Sequence, residues 1–193
     1  MRHTDNRYAG EQAKFDLAVR LIAHEARTHI IARCTGFSQD RIRKLYGTYF
    51  RNGEAGMVRR QRGKSPSSVA FFVRNAQVQT EASTLASLFA LFDLIRIDRT
   101  LHIRLLGDTC GTAFGRRLCR AYEVYLSLHP RRRVSFEHAW SLLLALTERG
   151  ELLLADCARC GNIYVHDVLA MDRGSCPPCR QRPRAGAPSK DIQ

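Results

Sequence analysis

Residues 157–179 read CARCGNIYVHDVLAMDRGSCPPC, two Cys-x-x-Cys pairs separated by fifteen residues. This is the spacing of a structural zinc site, in which each pair sits on a tight turn that aims two sulfur atoms at one metal ion. Gly161 after the first pair and Pro177-Pro178 inside the second favour such turns. The pattern predicts one Zn²⁺ ion in a small module resembling a zinc ribbon. The predicted ligands are Cys157, Cys160, Cys176 and Cys179.

The chemistry of this ligand set predicts a structural role for the metal. Four thiolates fill a tetrahedral shell and leave no position for a reactive water molecule. The ion would therefore hold the fold together and take no part in a reaction. The alternative is that the two cysteine pairs are unrelated thiols or form disulfides. The regular spacing disfavours this alternative.

The other features of the chain favour the cytoplasm. The total of seven cysteines is odd and implies no small disulfide framework, so a reducing compartment is expected. The N-terminus is polar and lacks the apolar stretch of a signal peptide. No run of about 18 apolar residues occurs, so no membrane span is predicted.

The charge balance favours a polyanionic partner. Lys and Arg number 31 against 18 Asp and Glu, which gives a formal net charge of +13. Nucleic acid is the first candidate for such an excess. The cations are concentrated, because Arg41 to Lys64 contains eight basic residues and one acidic residue. The alternative is a protein that is basic without binding nucleic acid.

Apolar residues recur at three- and four-residue intervals along much of the chain, which predicts a mainly α fold. Ser38 and Ser135 are typical helix N-caps, while Pro130 and Gly150 are typical stop signals. The predicted helices cover residues 11–33, 38–49, 81–97, 112–128 and 135–150, with a short apolar element at 71–73 and strands at 152–154 and 162–166.

These elements predict four regions. The regions are residues 1–66, an N-terminal helical region with a candidate helix-turn-helix and a basic loop; 67–150, a helical core; 151–180, the zinc-binding module; and 181–193, a disordered basic tail. The tail is rich in Arg, Pro, Ala and Gly, a composition that cannot bury enough apolar surface to fold.

Residues 28–47 match the pattern of a helix-turn-helix. The motif needs a small residue where two helices touch, a residue that tolerates positive φ at the turn, and a buried aliphatic further on. Ala32, Gly36 and Ile42 occupy these positions. The second helix would insert into a DNA groove, where Gln can read adenine and Arg can read guanine. Its predicted DNA-binding residues are Ser38, Gln39, Arg41, Arg43 and Lys44. The alternative is an ordinary helical hairpin with a solvated charged side.

The loop after this helix predicts a second DNA contact. Its glycines and arginines would let it reach along a groove as a basic arm. The residues predicted to bind DNA there are Arg59, Arg60, Arg62 and Lys64. The alternative is an exposed loop whose charges are simply solvated.

No catalytic constellation occurs, so no enzymatic activity is predicted. A zinc deaminase needs His-x-Glu upstream of its cysteine pair, and no histidine of this chain has Glu two residues later. Residues 107–115 lack the Lys-Ser/Thr of a phosphate-binding loop. With four thiolates available, His166 is expected to be a packing or surface residue. A zinc enzyme with an open metal position is the remaining alternative.

Several segments of the chain closely resemble the FlhC family, the larger subunits of the bacterial flagellar master activator. The zinc half carries the most specific resemblance, which spans roughly residues 11–185 and is weakest over 51–80. The similar segments are 41–46 (RIRKLY), 120–126 (RAYEVYL), 138–142 (HAWSL), 148–153 (ERGELL), 157–162 (CARCGN) and 176–179 (CPPC).

This resemblance implies a transcriptional activator subunit. Members of the family form a hetero-oligomer with the small helical protein FlhD, bind double-stranded DNA upstream of flagellar operons and recruit RNA polymerase. The zinc cysteines of the family correspond to the four cysteines named above, whereas its base-contacting residues do not carry over. The alternative function is a zinc-ribbon protein that binds RNA or associates with the polymerase.

Overall fold

The computed structural model of the protein describes residues 3–50, 58–61, 63, 65–66, 68–170 and 174–181. It confirms a mainly α fold with four cysteines close together near the C-terminus. The helices are α1 (His3–Ala23), α2 (Thr28–Thr35), α3 (Gln39–Tyr49), α4 (Ala70–Val73), α5 (Ala76–Leu91), α6 (Gly111–Leu128), α7 (Phe136–Thr147) and α8 (Pro177–Gln181). The strands are β1 (Ile95–Ile97), β2 (Ile103–Leu105), β3 (Leu152–Asp156) and β4 (Ile163–Asp167). β1–β2 and β3–β4 are antiparallel hairpins.

The single helix predicted over residues 11–33 is wrong, because the chain forms α1 and α2 instead. α1 ends with Glu25 in the left-handed conformation, at φ 60°. The N–H of Ala26 donates to the carbonyl of Leu21 at 3.0 Å, and the N–H of Glu25 donates to that of Ile22 at 2.8 Å. These two bonds form a Schellman motif, a common helix ending, without the glycine that usually marks it.

The helix predicted over residues 81–97 is wrong at both ends. α5 starts earlier, after Asn75, whose side chain accepts a hydrogen bond from the N–H of Val78 at 2.9 Å. It ends at a second Schellman motif, with Asp93 at φ 54°. The residues beyond form β1, so the apolar Ile95 and Ile97 belong to a hairpin and not to the helix.

The core of the helical body forms where α1, α2, α5, α6 and α7 meet. α6 crosses α1 and α2 closely at Gly115, where a Cβ atom would come within 2.7 Å of Leu17 and 2.9 Å of Cys34. α6 and α7 follow the predicted ranges, and Ser135 caps α7 as predicted. The largest fully buried side chains include Tyr122, Tyr125, Phe72, Phe89, Phe114 and Phe136.

The C-terminal hairpin packs against this body. β4 and α8 both contact α5, and Leu152, Leu154 and Val165 join the main core. Cys157, Tyr164 and Cys176 form a separate small cluster. The strands confirm the predicted extended segments, and α8 adds to the predicted elements. The predicted tail lies outside the described residues except for Gln181, as do residues 51–57 of the predicted basic loop.

Candidate metal centre and nucleic-acid interface

The first cysteine pair lies on the turn that joins β3 to β4. The N–H of Gly161 donates to the carbonyl of Cys157 at 2.8 Å, and the N–H of Cys157 donates to the carbonyl of Asn162 at 3.0 Å. Gly161 adopts φ 71°, a conformation that residues with a Cβ atom rarely adopt. This turn brings the sulfur atoms of Cys157 and Cys160 toward one point.

The second pair lies at the start of α8. Pro177 is the first residue of this helix, where the missing proline N–H leaves no hydrogen bond unmade. The N–H of Cys176 donates to the sulfur of Cys157 at 3.2 Å, which links the two pairs directly. The N–H of Arg180 donates to the carbonyl of Cys176 at 3.0 Å. One turn of helix therefore places Cys179 beside Cys176.

All four cysteines predicted as ligands come together. Their sulfur atoms lie within 4.8 Å of one another, and those of Cys160 and Cys176 are 3.6 Å apart. A tetrahedral zinc site with bonds of about 2.3 Å requires sulfur–sulfur distances of about 3.8 Å. The cluster could therefore hold one metal ion and leave no ligand position open. Within the described residues, no other group of Cys, His, Asp and Glu has this arrangement.

The titration of these thiols also favours a cation at the centre. The N–H of Cys176 stabilises the thiolate of Cys157 and lowers its pKa to about 6. The neighbouring sulfurs of Cys160 and Cys176 raise the pKa of Cys179 to about 12. The pKa of Cys179 is thus raised because its thiolate would lie beside other sulfur atoms. A divalent cation would relieve this conflict, because its charge offsets that of the thiolates.

His166 lies close to this module but outside the sulfur cluster. Its side chain is buried, and its Nδ1 atom lies 2.7 Å from the backbone oxygen of Asp167. The position agrees with the prediction of a packing residue.

Two polar residues of α5 attach the module to the helical body, and sequence patterns did not reveal either. The buried Gln79 donates from Nε2 to the carbonyl of Val165 at 2.8 Å and accepts from Arg180 at 2.7 Å. The hydroxyl of Ser83 accepts a hydrogen bond from the N–H of Val165 at 2.9 Å. Gln79 thereby connects β4 and α8 to the same point of α5.

The segment predicted as a helix-turn-helix forms two helices, α2 and α3, joined by residues 36–38. Gly36 has φ 74°, and its N–H donates to the carbonyl of Ala32 at 2.8 Å. The hydroxyl of Ser38 accepts from the N–H of Arg41 at 3.3 Å, so this side chain caps α3. The buried side chains that hold the two helices together include Ile31, Phe37, Ile42 and Leu45.

The outer face of α3 is polar and basic, and the predicted residues Gln39, Arg41, Arg43 and Lys44 are all exposed. The Arg41 guanidinium stacks 3.7 Å from the centre of the Phe37 ring and lies 3.2 Å from the Glu11 carboxylate. Arg43 pairs with Asp40 at 2.7 Å. These ion pairs are exposed and therefore weak. An approaching phosphate could replace the carboxylates.

The segment after α3 lies against the helix-turn-helix. The hydroxyl of Tyr46 donates to the carbonyl of Val58 at 2.5 Å, and the carboxylate of Glu25 accepts from Gln61 at 2.9 Å. Four basic residues of this segment were predicted to bind DNA. Arg59 and Arg60 are exposed, whereas Arg62 and Lys64 lie outside the described residues. Val58 and Gln61 therefore hold the described part of the predicted loop against α3 and the end of α1.

A family model described as flagellar transcriptional activator, FlhC, matches residues 5–192, nearly the whole chain. The chain belongs to the FlhC family. A direct search among curated proteins gave no match. Membership agrees with the resemblance seen in the cysteine segments.

The FlhC family consists of transcription regulators and not of enzymes. The sulfur cluster fits that class, since four sulfurs around one ion leave no site for a substrate. In the part of the chain that the structure describes, no helix is both long and apolar enough to cross a membrane.

Proposed function

We propose that this chain is the DNA-binding subunit of a flagellar transcriptional activator that works with FlhD. The complex would bind promoters of flagellar operons as double-stranded DNA and recruit RNA polymerase to them. It would act in the cytoplasm, where the four thiols stay reduced. The observation that carries this proposal is the exposed basic face of α3, the second helix of the predicted helix-turn-helix, in a chain of the FlhC family.

In this proposal α3 enters the major groove. Gln39, Arg43 and Lys44 project from its exposed face and would contact base edges and phosphates. Arg41 is partly engaged with Glu11 and would bind a phosphate instead. Ser38 would act through the helix cap that it provides. Arg59 and Arg60, together with Arg62 and Lys64, would follow the adjoining DNA backbone.

The metal in this proposal is a single structural Zn²⁺ ion. Four thiolates in a tetrahedral arrangement are the ligand set that zinc occupies in structural sites. The ligands would be Cys157, Cys160, Cys176 and Cys179. Zinc would fix the hairpin and α8 against α5 and would make no contact with a reacting molecule.

Fluorescence anisotropy tests the proposal. The chain, alone and co-expressed with FlhD, is titrated onto a flagellar promoter duplex, a scrambled duplex and single-stranded RNA across a salt series. Promoter-selective binding that requires FlhD and weakens steeply with salt is expected, because phosphate contacts release counterions. Equal binding to both duplexes, or preference for the RNA, would contradict the proposal and favour the RNA-binding alternative.

Substitutions on α3 locate the contact. Arg43→Ala should weaken promoter binding by about fivefold or more, while zinc content stays the same. Arg120→Ala is the matched control, since it removes one exposed arginine from α6 and leaves α3 unchanged. If Arg43→Ala binds as tightly as the control, α3 is not the recognition helix.

A further inference from the structure

The β1–β2 hairpin has one apolar face and one cationic face. Ile95 is buried, and Ile97 and Ile103 pack against the core of the helical body. The alternate residues Arg96 and Arg104 are exposed. β1 contacts α5 and β2 contacts α7, so the hairpin lies flat on the body with its arginines toward solvent.

The two arginines are direct partners across the hairpin. The register pairs Arg96 with Arg104, which places their Cβ atoms about 4.5–5.5 Å apart. Like charges directly opposite each other destabilise a hairpin. Neither guanidinium lies within ion-pair distance of an acidic group in the part of the chain that the structure describes. The fold thus tolerates a repulsion that a single substitution would remove.

The acidic residue of this hairpin is engaged elsewhere. The carboxylate of Asp98 accepts hydrogen bonds from the N–H of Thr100 at 2.8 Å, the hydroxyl of Thr100 at 2.6 Å and the N–H of His102 at 3.0 Å. The N–H of Leu101 also donates to the carbonyl of Asp98 at 3.0 Å. Asp98 therefore builds the turn, and it holds the two strands in the register that opposes the arginines.

We propose that this hairpin is a second DNA-contacting element, in which Arg96 and Arg104 bind phosphates of the promoter backbone. The proposal rests on the DNA-binding function proposed above. A phosphate between or beside the two guanidiniums would turn their repulsion into a shared attraction. Guanidinium groups bind phosphate oxygens in a bidentate manner, which suits a rigid pair better than a diffuse cationic surface.

Duplex DNA fits this surface better than an acidic protein does. The chain has a net charge of +13, so the whole molecule attracts a polyanion. Two-stranded ribbons occur among DNA-binding elements. The arginines also stand on a fixed strand pair, which can follow a regular row of phosphates without ordering a loop on binding.

The substitution Arg104→Glu separates this role from a structural one. It places an opposite charge across from Arg96, so the melting temperature should rise by about 1–3 °C. Promoter affinity of the complex with FlhD should fall by about tenfold or more, because one phosphate contact becomes a repulsion. Arg104→Thr is the milder variant and should lower the slope of log affinity against log salt by about one.

Arg131→Glu is the matched control, because it makes the same change in net charge at an exposed position between α6 and α7. Stability that rises while promoter binding falls, relative to this control, supports the proposal. If wild type binds the promoter and both Arg104 variants bind as the control does, the hairpin proposal is overturned and the proposed function stands. Unchanged DNA binding with lost polymerase recruitment would also overturn it and assign the hairpin to an acidic protein surface. Failure of wild type to bind the promoter would instead overturn the proposed function.

Discussion

The helical body and the metal module are stabilised in different ways. The body buries large side chains from five helices, including Tyr122, Phe89 and Phe114. The module has its own small cluster, in which the buried residues are two cysteines and Tyr164. So few apolar groups supply little free energy against the entropy of ordering the chain around them. The body is therefore held by apolar burial, whereas the cysteine cluster depends on the proposed metal ion. β3 and β4 join the core of the body through Leu152, Leu154 and Val165.

This difference separates the tasks of the two regions. The proposed DNA contacts lie on α3, on the segment after it and on the β1–β2 hairpin, all parts of the body. The sulfur cluster lies near the C-terminus. Its four cysteines carry no positive charge that could bind DNA. Gln79 is one buried residue that joins the two regions, because it bonds to both β4 and α8. Substitutions in one region should therefore leave the defining property of the other intact.

The largest expected effect follows from loss of a metal ligand. Cys176→Ser should abolish zinc binding and unfold the cysteine turn between β3 and β4 together with α8, because zinc binding and folding are coupled in such sites. Apparent zinc affinities in small zinc domains correspond to about 10–16 kcal/mol, well above any single contact in the body. Zinc-to-protein ratio, limited proteolysis and far-UV circular dichroism would measure the outcome. Most of the helical signal should remain.

Cys110→Ser is the matched control for this experiment. Cys110 is an exposed cysteine outside the sulfur cluster, so its substitution should leave both zinc content and protease resistance unchanged. A Cys176→Ser protein that keeps one zinc ion and resists protease as the control does would contradict the ligand assignment.

A smaller loss of stability is expected when the carboxylate of Glu81 is removed from the helical body. This buried carboxylate accepts from the hydroxyl of Tyr125 at 2.5 Å and from the N–H and guanidinium of Arg133 at 2.8 and 2.9 Å. Glu81→Ala leaves the buried hydroxyl of Tyr125 without its acceptor, while Arg133 stays partly exposed to water. It should lower the free energy of unfolding by about 2–3 kcal/mol in urea titrations. Zinc content should not change. Glu148→Ala removes an exposed carboxylate and should cost less than about 0.5 kcal/mol.

The same carboxylate predicts a dependence of stability on pH. Burial raises the pKa of Glu81, but hydrogen bonds from Tyr125 and Arg133 outweigh burial and lower the pKa below its ordinary value of 4.5. The unfolded chain therefore takes up this proton at higher pH than the folded chain does. The stabilisation is complete above about pH 4.5 and is lost as pH falls through the folded-state pKa. Glu81→Gln should show a shallower acid limb than wild type, and equal slopes would contradict this account.

The smallest expected effect lies at the junction of the two regions. Gln79→Ala removes the hydrogen bonds to Val165 and Arg180 and should cost about 1–3 kcal/mol. Zinc content should persist, while hydrogen exchange in β4 should become faster. Gln77→Ala, an exposed glutamine on the same helix, is the control. If both variants exchange alike, Gln79 does not couple the two regions.

Structural features that depend on neighbouring residues of the sequence could be predicted, whereas features that depend on distant residues could not. The sulfur cluster was predictable because its cysteines follow a fixed spacing. The turn between α2 and α3 was predictable because Gly36 and Ser38 mark it. The ends of α1 and α5 were not predictable, because Glu25 and Asp93 adopt positive φ without glycine. Bonds from distant residues, such as Gln61 to Glu25, help to fix the first of these ends.

The features that the sequence did not reveal are those that depend on the tertiary structure. Ile95 continues the apolar pattern of α5, so the periodicity alone extends the helix into the hairpin. The opposition of Arg96 and Arg104 exists only once the register of that hairpin is set. Gln79 resembles any helical glutamine in the sequence, and its role follows from burial beneath β4.

X-ray absorption at the zinc edge, combined with metal analysis of the chain purified with FlhD, tests the central difference between the two regions most directly. The account predicts one zinc ion per chain with four sulfur ligands at about 2.3 Å. A nitrogen or oxygen ligand in the first coordination shell, or a folded module without metal, would contradict it.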